Sequence, residues 1–167
     1  MEEVYKVIEG YENYEVSNLG NLRNIKTKRV LKPGKDSSGY YMVILYTNSV
    51  GTTKRIHKLV ANAYLDNPDD KKCVDHINNN RLENNLSNLR WATISENSFN
   101  QKIAKNNTSG SKGVSFHKIK NKWQAYIKLD GILIHLGYFE NKEDAIQARI
   151  TKANQIFGVY ANACETI

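Results

Sequence analysis

The sequence predicts an α+β protein with a small antiparallel β module, a central ββα unit and a C-terminal three-stranded sheet packed on one helix. Short alternating apolar and polar runs between Gly and Asn turns fill both ends of the chain. Helical apolar spacing is limited to a few segments. A polar stretch precedes the last module. We therefore expect modules at residues 1–53, 54–105 and 112–167, with residues 106–111 as a flexible linker.

The first module carries four strand-like runs, at residues 4–8, 14–17, 22–25 and 40–46. Turn residues separate them, and Gly51 is expected in the turn beyond the last run. This pattern predicts a small antiparallel sheet. The segment that follows has apolar residues at 56, 59, 60, 63 and 64, which is the spacing of a helix that ends before Pro68. His57 begins this helix and is left out of the catalytic set, because lone histidines near a helix start are more often structural.

The most informative stretch is residues 73–97, CVDHINNNRLENNLSNLRWATISEN. Two short strand-like runs flank its Asn-rich loop, and Thr93 and Glu96 have the spacing of a helix capping box. A helix is therefore expected at residues 95–105. The order strand, loop, strand and helix would gather three polar side chains at one end of a ββα unit: Asp75, His76 and Asn97.

These residue types suit hydrolysis of a phosphodiester. Mg²⁺ usually takes only one or two oxygen ligands from a protein, and the Asp75 carboxylate and Asn97 carbonyl would supply that pair. A neutral His76 can take a proton from a water aimed at phosphorus. The oxygen pair favours Mg²⁺ (or Mn²⁺) over a nitrogen-rich zinc site. Taken singly, Asp75 has the alternative of a surface acid, and Asn97 that of a helix cap.

The letters DHINNNRLENNLSNLRWAT…EN resemble the HNH (ββα-metal) nuclease motif of phage and intron homing endonucleases. The three letters of the motif fall on His76, Asn88 and Asn97, the last where many relatives have His. The resemblance implies catalytic roles for His76, Asp75, Asn88 and Asn97, with Asp75 and Asn97 as metal ligands. Asn88 is expected to bond backbone across the loop and hold the His76 segment in register.

The first module also resembles a known unit. Its letters IEGYENYEVSNLGNLRNIKT…LKP…GYYMVIL resemble the NUMOD-type module that precedes the HNH unit in many homing nucleases. The resemblance implies that the module supports the nuclease and contacts DNA. A plain β scaffold is an equal alternative for any single residue of it. Within the nuclease unit, a small core is expected from Val74, Ile77, Leu82, Leu86, Leu89 and Trp91.

The C-terminal module is expected to form three strands, at residues 113–118, 122–128 and 132–139. Asp130-Gly131 is a strong hairpin signal between the last two. A helix should then run from a cap at Asn141 to Phe157, with Gly158 just beyond it. By alternation, one face of the middle strand carries Trp123, Ala125 and Ile127, and the other carries Gln124, Tyr126 and Lys128.

The letters SGSKGVSFHKIKNKWQAYIKLDGILIHLGYFENKEDAIQAR are similar to the plant ethylene-response-factor (APETALA) DNA-binding domain. That family lays its sheet in the major groove, so the resemblance implies a DNA-binding sheet here. The pattern leaves open which face meets DNA. Lys, Gln, His and Tyr stand where the family typically uses Trp and Arg, so its base preferences are not carried over.

The charge pattern points to a polyanionic partner. The net charge is +7, and residues 97–129 contain seven lysines and no acid. A second acid-free interval covers residues 37–65. Two such runs beside a metal-site candidate favour phosphate contact, although a solvated face is the alternative for each. The side chains expected to contact DNA are Lys54, Arg55, Arg81, Arg90, Lys102, Lys105, Lys112, Ser115, His117, Lys118, Lys120, Lys122, Trp123, Gln124, Tyr126 and Lys128.

Together these features predict a site-specific endonuclease of double-stranded DNA of the homing type, with His76 as general base and one Mg²⁺ (or Mn²⁺). A monomer would nick, and cutting both strands would need a weak dimer or two visits. A catalytically inactive sequence-specific DNA-binding protein or regulator is the main alternative, and a structural RNA-binding protein is the second. Cys73 and Cys164 form no C-x-x-C pair, and no signal peptide or membrane-length apolar run is present. A cytoplasmic protein of a phage or mobile element is expected, with no membrane partner.

Overall fold

The computed structural model describes residues 2–100, 103 and 107–161. The chain divides into two compact units, Met1–Thr93 and Ile94–Ile167. Both combine helices with antiparallel sheets, so the predicted α+β class is confirmed. None of the helices within the described ranges is long and apolar enough to cross a membrane.

The first sheet of the first unit has three antiparallel strands: β1 (Tyr5–Ile8), β2 (Tyr11–Ser17) and β3 (Leu22–Asn24). Two glycines with positive φ turn the chain between them, Gly10 at 74° and Gly20 at 86°. A side chain is strained in that region, so these turns explain the Glu-Gly and Asn-Leu-Gly signals in the sequence.

A second three-stranded sheet follows, formed by β4 (Gly34–Lys35), β5 (Tyr41–Thr47) and β6 (Val50–Arg55). The module thus contains two sheets where one was expected, and the predicted turn at Gly51 is wrong. The turn is made by Asn48 and Ser49, both with positive φ. Gly51 lies inside β6, where an added Cβ would stand 3.0 Å from the Tyr46 ring. Glycine at this position reflects close packing under Tyr46.

Helix α1 (Ile56–Tyr64) packs against both sheets and against the next strand pair. One hydrophobic core therefore joins the segments expected as the first two modules. Its buried members are Ile8, Val16, Leu22, Val43, Leu45, Ile56, Leu59, Val60, Ala61, Val74 and Leu89. Two residues expected in the core are exposed instead, Ile77 at 44% and Leu82 at 37%. Both lie in the polar loop, which is bonded through side-chain amides and does not need their burial.

The strand pair consists of β7 (Cys73–His76) and β8 (Leu89–Ala92), joined by a loop that ends in a short 3-10 turn (Leu86–Asn88). The strands are antiparallel, and Asp75 lies opposite Arg90. The Asn-Leu-Gly turn after β2 contacts this loop. The carbonyl of Asn18 accepts a hydrogen bond from the Leu86 amide at 2.7 Å. The turn thereby fixes the end of the loop.

The second unit contains α2 (Ile94–Asn100), β9 (Val114–His117), β10 (Lys122–Leu129), β11 (Ile132–Phe139) and α3 (Lys142–Phe157). The helix predicted at 95–105 is seen to Asn100, and residues 101–102 and 104–106 lie outside the described residues. The hairpin turn is where the sequence predicts it, with φ of 48° at Asp130 and 86° at Gly131.

The three strands form one antiparallel sheet with β10 in the middle, and α3 covers one face of it. Ala125 and Ile127 are buried between the sheet and the helix. Asn141 stands at the N-cap of α3 as expected, but its side chain makes no cap bond. Its amide lies 3.2 Å from an Asp144 oxygen and donates to it instead.

Candidate active site

Asp75 and His76 are neighbours on β7, and both are buried, with 3% and 5% of their surface exposed. Successive side chains of a strand project to opposite faces, so the two residues have different partners. Asp75 meets Arg90 across the strand pair, and His76 meets Asn84 in the loop. The sequence adjacency of the acid and the imidazole therefore does not by itself bring the two groups into contact.

The ring of His76 is held by a hydrogen bond to Asn84. His76 Nε2 lies 3.0 Å from Asn84 Oδ1, and the Asn84 amide nitrogen donates to the Leu82 carbonyl at 3.3 Å. A carbonyl oxygen only accepts, so Nε2 carries the proton of the neutral ring and Nδ1 has the in-plane lone pair. Asn84 is buried and was not among the predicted site residues. The asparagine-rich loop was the only sequence signal for it.

Burial lowers the pKa of His76 below its ordinary value. The hydrogen bond that His76 donates to Asn84 and the charge of Asp75 oppose that effect without cancelling it. Desolvation penalises the charged form of a base, so the neutral imidazole is favoured near pH 7. A neutral ring with a defined tautomer is what a general base requires.

Two further rings surround His76. The ring centroid of His57 lies 5.0 Å away in an edge arrangement, and that of Tyr40 lies 5.9 Å away. Tyr40 and His57 are themselves 4.8 Å apart. We call Tyr40, His57 and His76 the ring cluster. Its members come from the turn before β5, the start of α1 and the end of β7, so only tertiary packing brings them together.

His57 is a buried histidine whose Nδ1 has no hydrogen-bond partner among the described residues. Leaving a polar atom buried and unbonded costs about 1–3 kcal/mol. Burial lowers the pKa of His57 to about 3, with a smaller contribution from repulsion by the His76 ring when that ring is protonated. The ring is therefore neutral at physiological pH. The sequence pattern excluded His57 from the site, whereas the structure puts it beside the predicted base.

Two arginines lie over Tyr40, with guanidinium carbons 4.5 Å (Arg55) and 5.0 Å (Arg81) from its ring centroid. Arg55 is also paired with Asp36 at 2.6 Å, and Arg81 donates to the Ser38 carbonyl at 2.9 Å. Both arginines were predicted to contact DNA. Their positions put two positive charges next to the ring cluster, and the bonds restrict how far each can move.

Arg90 forms an ion pair with the carboxylate of Asp75. Nε and Nη2 of Arg90 both lie 2.8 Å from Asp75 Oδ2. Charge-assisted bonds of this kind are short and directional, so they orient the carboxylate. Arg90 was predicted to reach DNA. That contact stays a prediction, and in the structure the guanidinium engages the candidate metal ligand.

Asn88 makes bonds within the loop that connects β7 and β8. Its Oδ1 accepts the Asn78 amide at 3.0 Å, and its Nδ2 donates to the Glu83 carbonyl at 2.8 Å. The Asn88 carbonyl also accepts the Ile77 amide at 2.9 Å. These are bonds to backbone on either side of the loop, and they tie the end of the His76 strand to the 3-10 turn.

Asn97, the other predicted metal ligand, lies half-buried on α2, within the second unit. Asp75 belongs to the first unit, so the ligand pair stays a prediction. No group of three or more His, Cys, Asp or Glu in the described part of the chain could hold a metal. One carboxylate and one amide oxygen nevertheless fit a hard cation that keeps several waters.

The predicted DNA-contacting residues of the second unit lie on different surfaces. Gln124 donates to Ser115 at 3.0 Å on the sheet face away from α3. Tyr126 and Lys128 share that face, because they alternate along β10 with residues that are buried on the helix side. Trp123 packs on the helix side, against the core that contains Ala125. Lys112 donates to the Phe99 carbonyl, and Lys122 pairs with Glu140. Lys118 and Lys120 are exposed, and Lys102 and Lys105 lie outside the described residues.

His135 and Tyr138 also lie on the open sheet face, and neither was among the predicted DNA contacts. Tyr138 has His117 and His135 beside its ring, at centroid distances of 5.4 and 4.5 Å, and the Lys120 ammonium 3.7 Å from its centroid. A two-residue turn at Asp130-Gly131 sets the register that pairs Tyr126 with His135. Counting back from that turn would have found His135. The position of Tyr138 could not be found in this way, because a β-bulge between His135 and Tyr138 shifts the register and has no clear sequence signal.

Comparisons with known proteins match two parts of the chain. A family model described as NUMOD4 motif matches residues 3–46, and one described as HNH endonuclease matches residues 54–99. DNA endonuclease I-HmuI of Bacillus phage SP01 is 38% identical over 119 residues, covering 71% of this chain and 68% of that protein. The ethylene-response-factor-like assignment of the last module stays a prediction.

Two mimivirus relatives are longer than this chain. The uncharacterized HNH endonuclease L247 of Acanthamoeba polyphaga mimivirus is 43% identical over 93 residues, or 54% of this chain and 23% of that protein. The chain thus spans about a quarter of the length of this relative and of a second mimivirus protein. A solved structure on DNA binding and cleavage by the HNH homing endonuclease I-HmuI has a TM-score of 0.56 at 29% identity, covering 95% of this chain and 84% of that one.

Proposed function

Because the chain belongs to the HNH homing endonuclease family, we propose that it is a site-specific endonuclease of double-stranded DNA. The observation that carries this proposal is the buried, neutral imidazole of His76, held at Nε2 by Asn84. A catalytically inactive DNA-binding protein would have no need of a ring held in this way. The relative I-HmuI is described as binding and cleaving DNA, which supports the same reaction here.

The proposed reaction is hydrolysis of one phosphodiester bond. Nδ1 of His76 takes a proton from the water that attacks phosphorus, while Asn84 keeps the ring from turning. Asn88 keeps the strand end in place through its loop bonds. The water oxygen bonds to phosphorus as the P–O3′ bond breaks. The 3′ oxygen takes up a proton from solvent to give a 3′-hydroxyl, and the other strand end keeps a 5′-phosphate. Roles for Asp75, Asn88 and Asn97 are part of this proposal.

HNH endonucleases are metal-dependent enzymes. We propose Mg²⁺ or Mn²⁺, held by the Asp75 carboxylate and the Asn97 carbonyl, because both donors are oxygen. When bound, the cation would stabilise the charge that develops on the scissile phosphate and the departing oxygen. Arg90 supports this assignment, since its two bonds orient the Asp75 carboxylate.

The DNA contacts we propose come from both units. In the first, a cleft of about 820 Å³ between β1, β6 and α1 is lined by Lys54, Arg55 and Lys58, together with the acids Glu9 and Asp36. In the second, the open sheet face offers Gln124, Tyr126 and Lys128. Phosphate contacts of this kind supply affinity that falls with salt.

Each chain would carry one site, so a monomer would nick and a weak dimer would cut both strands. Relatives occur in phages and in a giant virus. We propose that this protein too is encoded by a phage or mobile element and acts on DNA in the cytoplasm of the host cell.

A plasmid-nicking assay with Mg²⁺ or Mn²⁺ tests the function. Wild type should convert supercoiled plasmid to the open circle, and His76→Ala should abolish cutting while still shifting duplex DNA in gels. Gln155→Ala is the control, because it changes an exposed residue of α3, outside the ring cluster and the proposed DNA contacts, and should cut normally. If wild type binds DNA but never nicks it with either metal, the regulator alternative is correct. Loss of DNA binding by His76→Ala would make this residue structural.

A further inference from the structure

His57 occupies a position where an apolar residue would fit the core better. It lies on α1 between Ile56 and the pair Leu59 and Val60, all of them buried in the core. Only 3% of His57 is exposed, and its Nδ1 has no hydrogen-bond partner among the described residues. A leucine would fill such a site without leaving a polar atom unbonded. The presence of an imidazole therefore calls for an explanation other than core packing.

The geometry of the ring cluster explains why an imidazole is present at position 57. The His57 ring meets the His76 ring at a centroid distance of 5.0 Å and an angle of 66°, so an edge of one faces the other. Tyr40 packs on His57 at 4.8 Å and lies 5.9 Å from His76. The terminal torsion of a histidine side chain has a broad energy profile, so the ring plane is set by its neighbours. Asn84 holds His76 at one nitrogen, and the two other rings limit rotation about that bond.

We propose that His57 is a positioning residue that fixes the ring plane of His76, with Tyr40 packed on both rings. This rests on the proposed function, in which His76 is the base that takes a proton from water. A neutral ring has no net charge to oppose the positive charge that His76 gains in the reaction. Lysine or arginine at the same position would oppose it.

The N-terminal β module contributes Tyr40 to the ring cluster. Tyr40 precedes β5, and its backbone amide donates to Asp36 Oδ1 at 2.9 Å. Asp36 in turn pairs with Arg55, which lies over the Tyr40 ring. A turn of the N-terminal β module is thus built against the candidate base, so that module is part of the catalytic machinery in addition to any contact with DNA.

Three variants test the proposal: His57→Ala, which removes the ring, His57→Phe, which keeps a ring without nitrogens, and Val60→Ala as control. Val60 is fully buried on the same helix and lies outside the ring cluster. We expect His57→Ala to lower single-turnover nicking at least tenfold, with the DNA dissociation constant within twofold of wild type. His57→Phe should recover most of the rate. Val60→Ala should lower the melting temperature but leave the rate of the folded protein unchanged.

The His76 imidazole also gives a readout that does not depend on cutting. The chain has four histidines, so single substitutions assign their ring signals in nitrogen-detected NMR. In His57→Ala, the His76 signals should shift and broaden as the ring becomes mobile, while Val60→Ala leaves them in place. Wild-type nicking by His57→Ala, unchanged His76 signals, or a rate for His57→Phe as low as that of His57→Ala would each overturn the proposal. If wild type itself fails to nick, the proposed function fails, and the NMR result still decides whether His57 positions the ring.

Discussion

His76 donates its Nε2–H to Asn84 Oδ1 over 3.0 Å, and that single bond determines which nitrogen of the ring can act as a base. Asn84 depends in turn on the Asn-Leu-Gly turn of the N-terminal sheet. A Cβ added to Gly20 would lie 3.1 Å from both the Cβ and the carbonyl oxygen of Asn84. The orientation of the candidate base is therefore set by a segment far from it in sequence.

Replacing Asn84 should slow cutting without weakening DNA binding. In Asn84→Leu the His76 ring loses its acceptor, so both tautomers become populated and the ring can turn. Loss of a supporting bond of this type costs about 10–100-fold in activity. Single-turnover nicking measures the rate, and the nitrogen chemical shifts of His76 report the tautomer. Asn80→Ala, an exposed change in the same loop, should have little effect. Equal rates for Asn84→Leu and wild type would show that the bond is dispensable.

Replacing Arg90 distinguishes a partner of Asp75 from a DNA contact. In Arg90→Met the buried carboxylate loses two charge-assisted bonds, and breaking a buried pair costs about 3–5 kcal/mol of folding free energy. Urea denaturation measures that loss. The salt dependence of DNA affinity should keep its slope, whereas a phosphate contact would lower it by about one. Lys128→Ala is the control, because it removes a surface cation from the open sheet face and should lower the slope as the loss of a phosphate contact does. A reduced slope with normal stability in Arg90→Met would show that Arg90 contacts DNA and does not stabilise the fold through Asp75.

The stability of the first unit should fall on acidification because of His57. Its pKa is about 3 when folded, against an ordinary value of 6.5, so the unfolded chain binds the extra proton. Stability is therefore full above pH 6.5 and is lost as the pH falls from 6.5 towards 3. The steepest loss is about 1.4 kcal/mol per pH unit from this one group. Urea unfolding at several pH values measures it. His57→Phe should flatten the curve, and parallel curves for the two proteins would contradict the assignment.

The pH dependence of cutting should also report on His76. Burial lowers the pKa of His76, so the neutral form persists to more acidic pH than for an exposed histidine. The acidic limb of kcat/KM should then lie below pH 6.5, the ordinary value for the group. Rates are best measured at saturating metal, so that metal binding does not shape the limb. A limb above pH 6.5 would mean that another group is titrating.

Much of the local structure was predictable. The hairpin at Asp130-Gly131 follows from backbone conformations that glycine and aspartate tolerate, and α3 follows from its apolar spacing. Strand β6, with sequence VGTTKR, has little apolar alternation and was missed. Ile77 and Leu82 were wrongly put in the core, because an apolar side chain in a short loop carries no periodicity to show its direction.

The chain's motif spacing was enough to determine its family, its α+β class and the neighbouring positions of Asp75 and His76 on one strand. Those features depend on residues close in sequence, where strand and turn preferences act directly. Tertiary structure alone decided that Asn84, His57 and Tyr40 surround the imidazole and that Arg90 engages the carboxylate side chain of Asp75. Such partners meet through packing of distant segments into one core, and no local pattern encodes which side chains will face each other there.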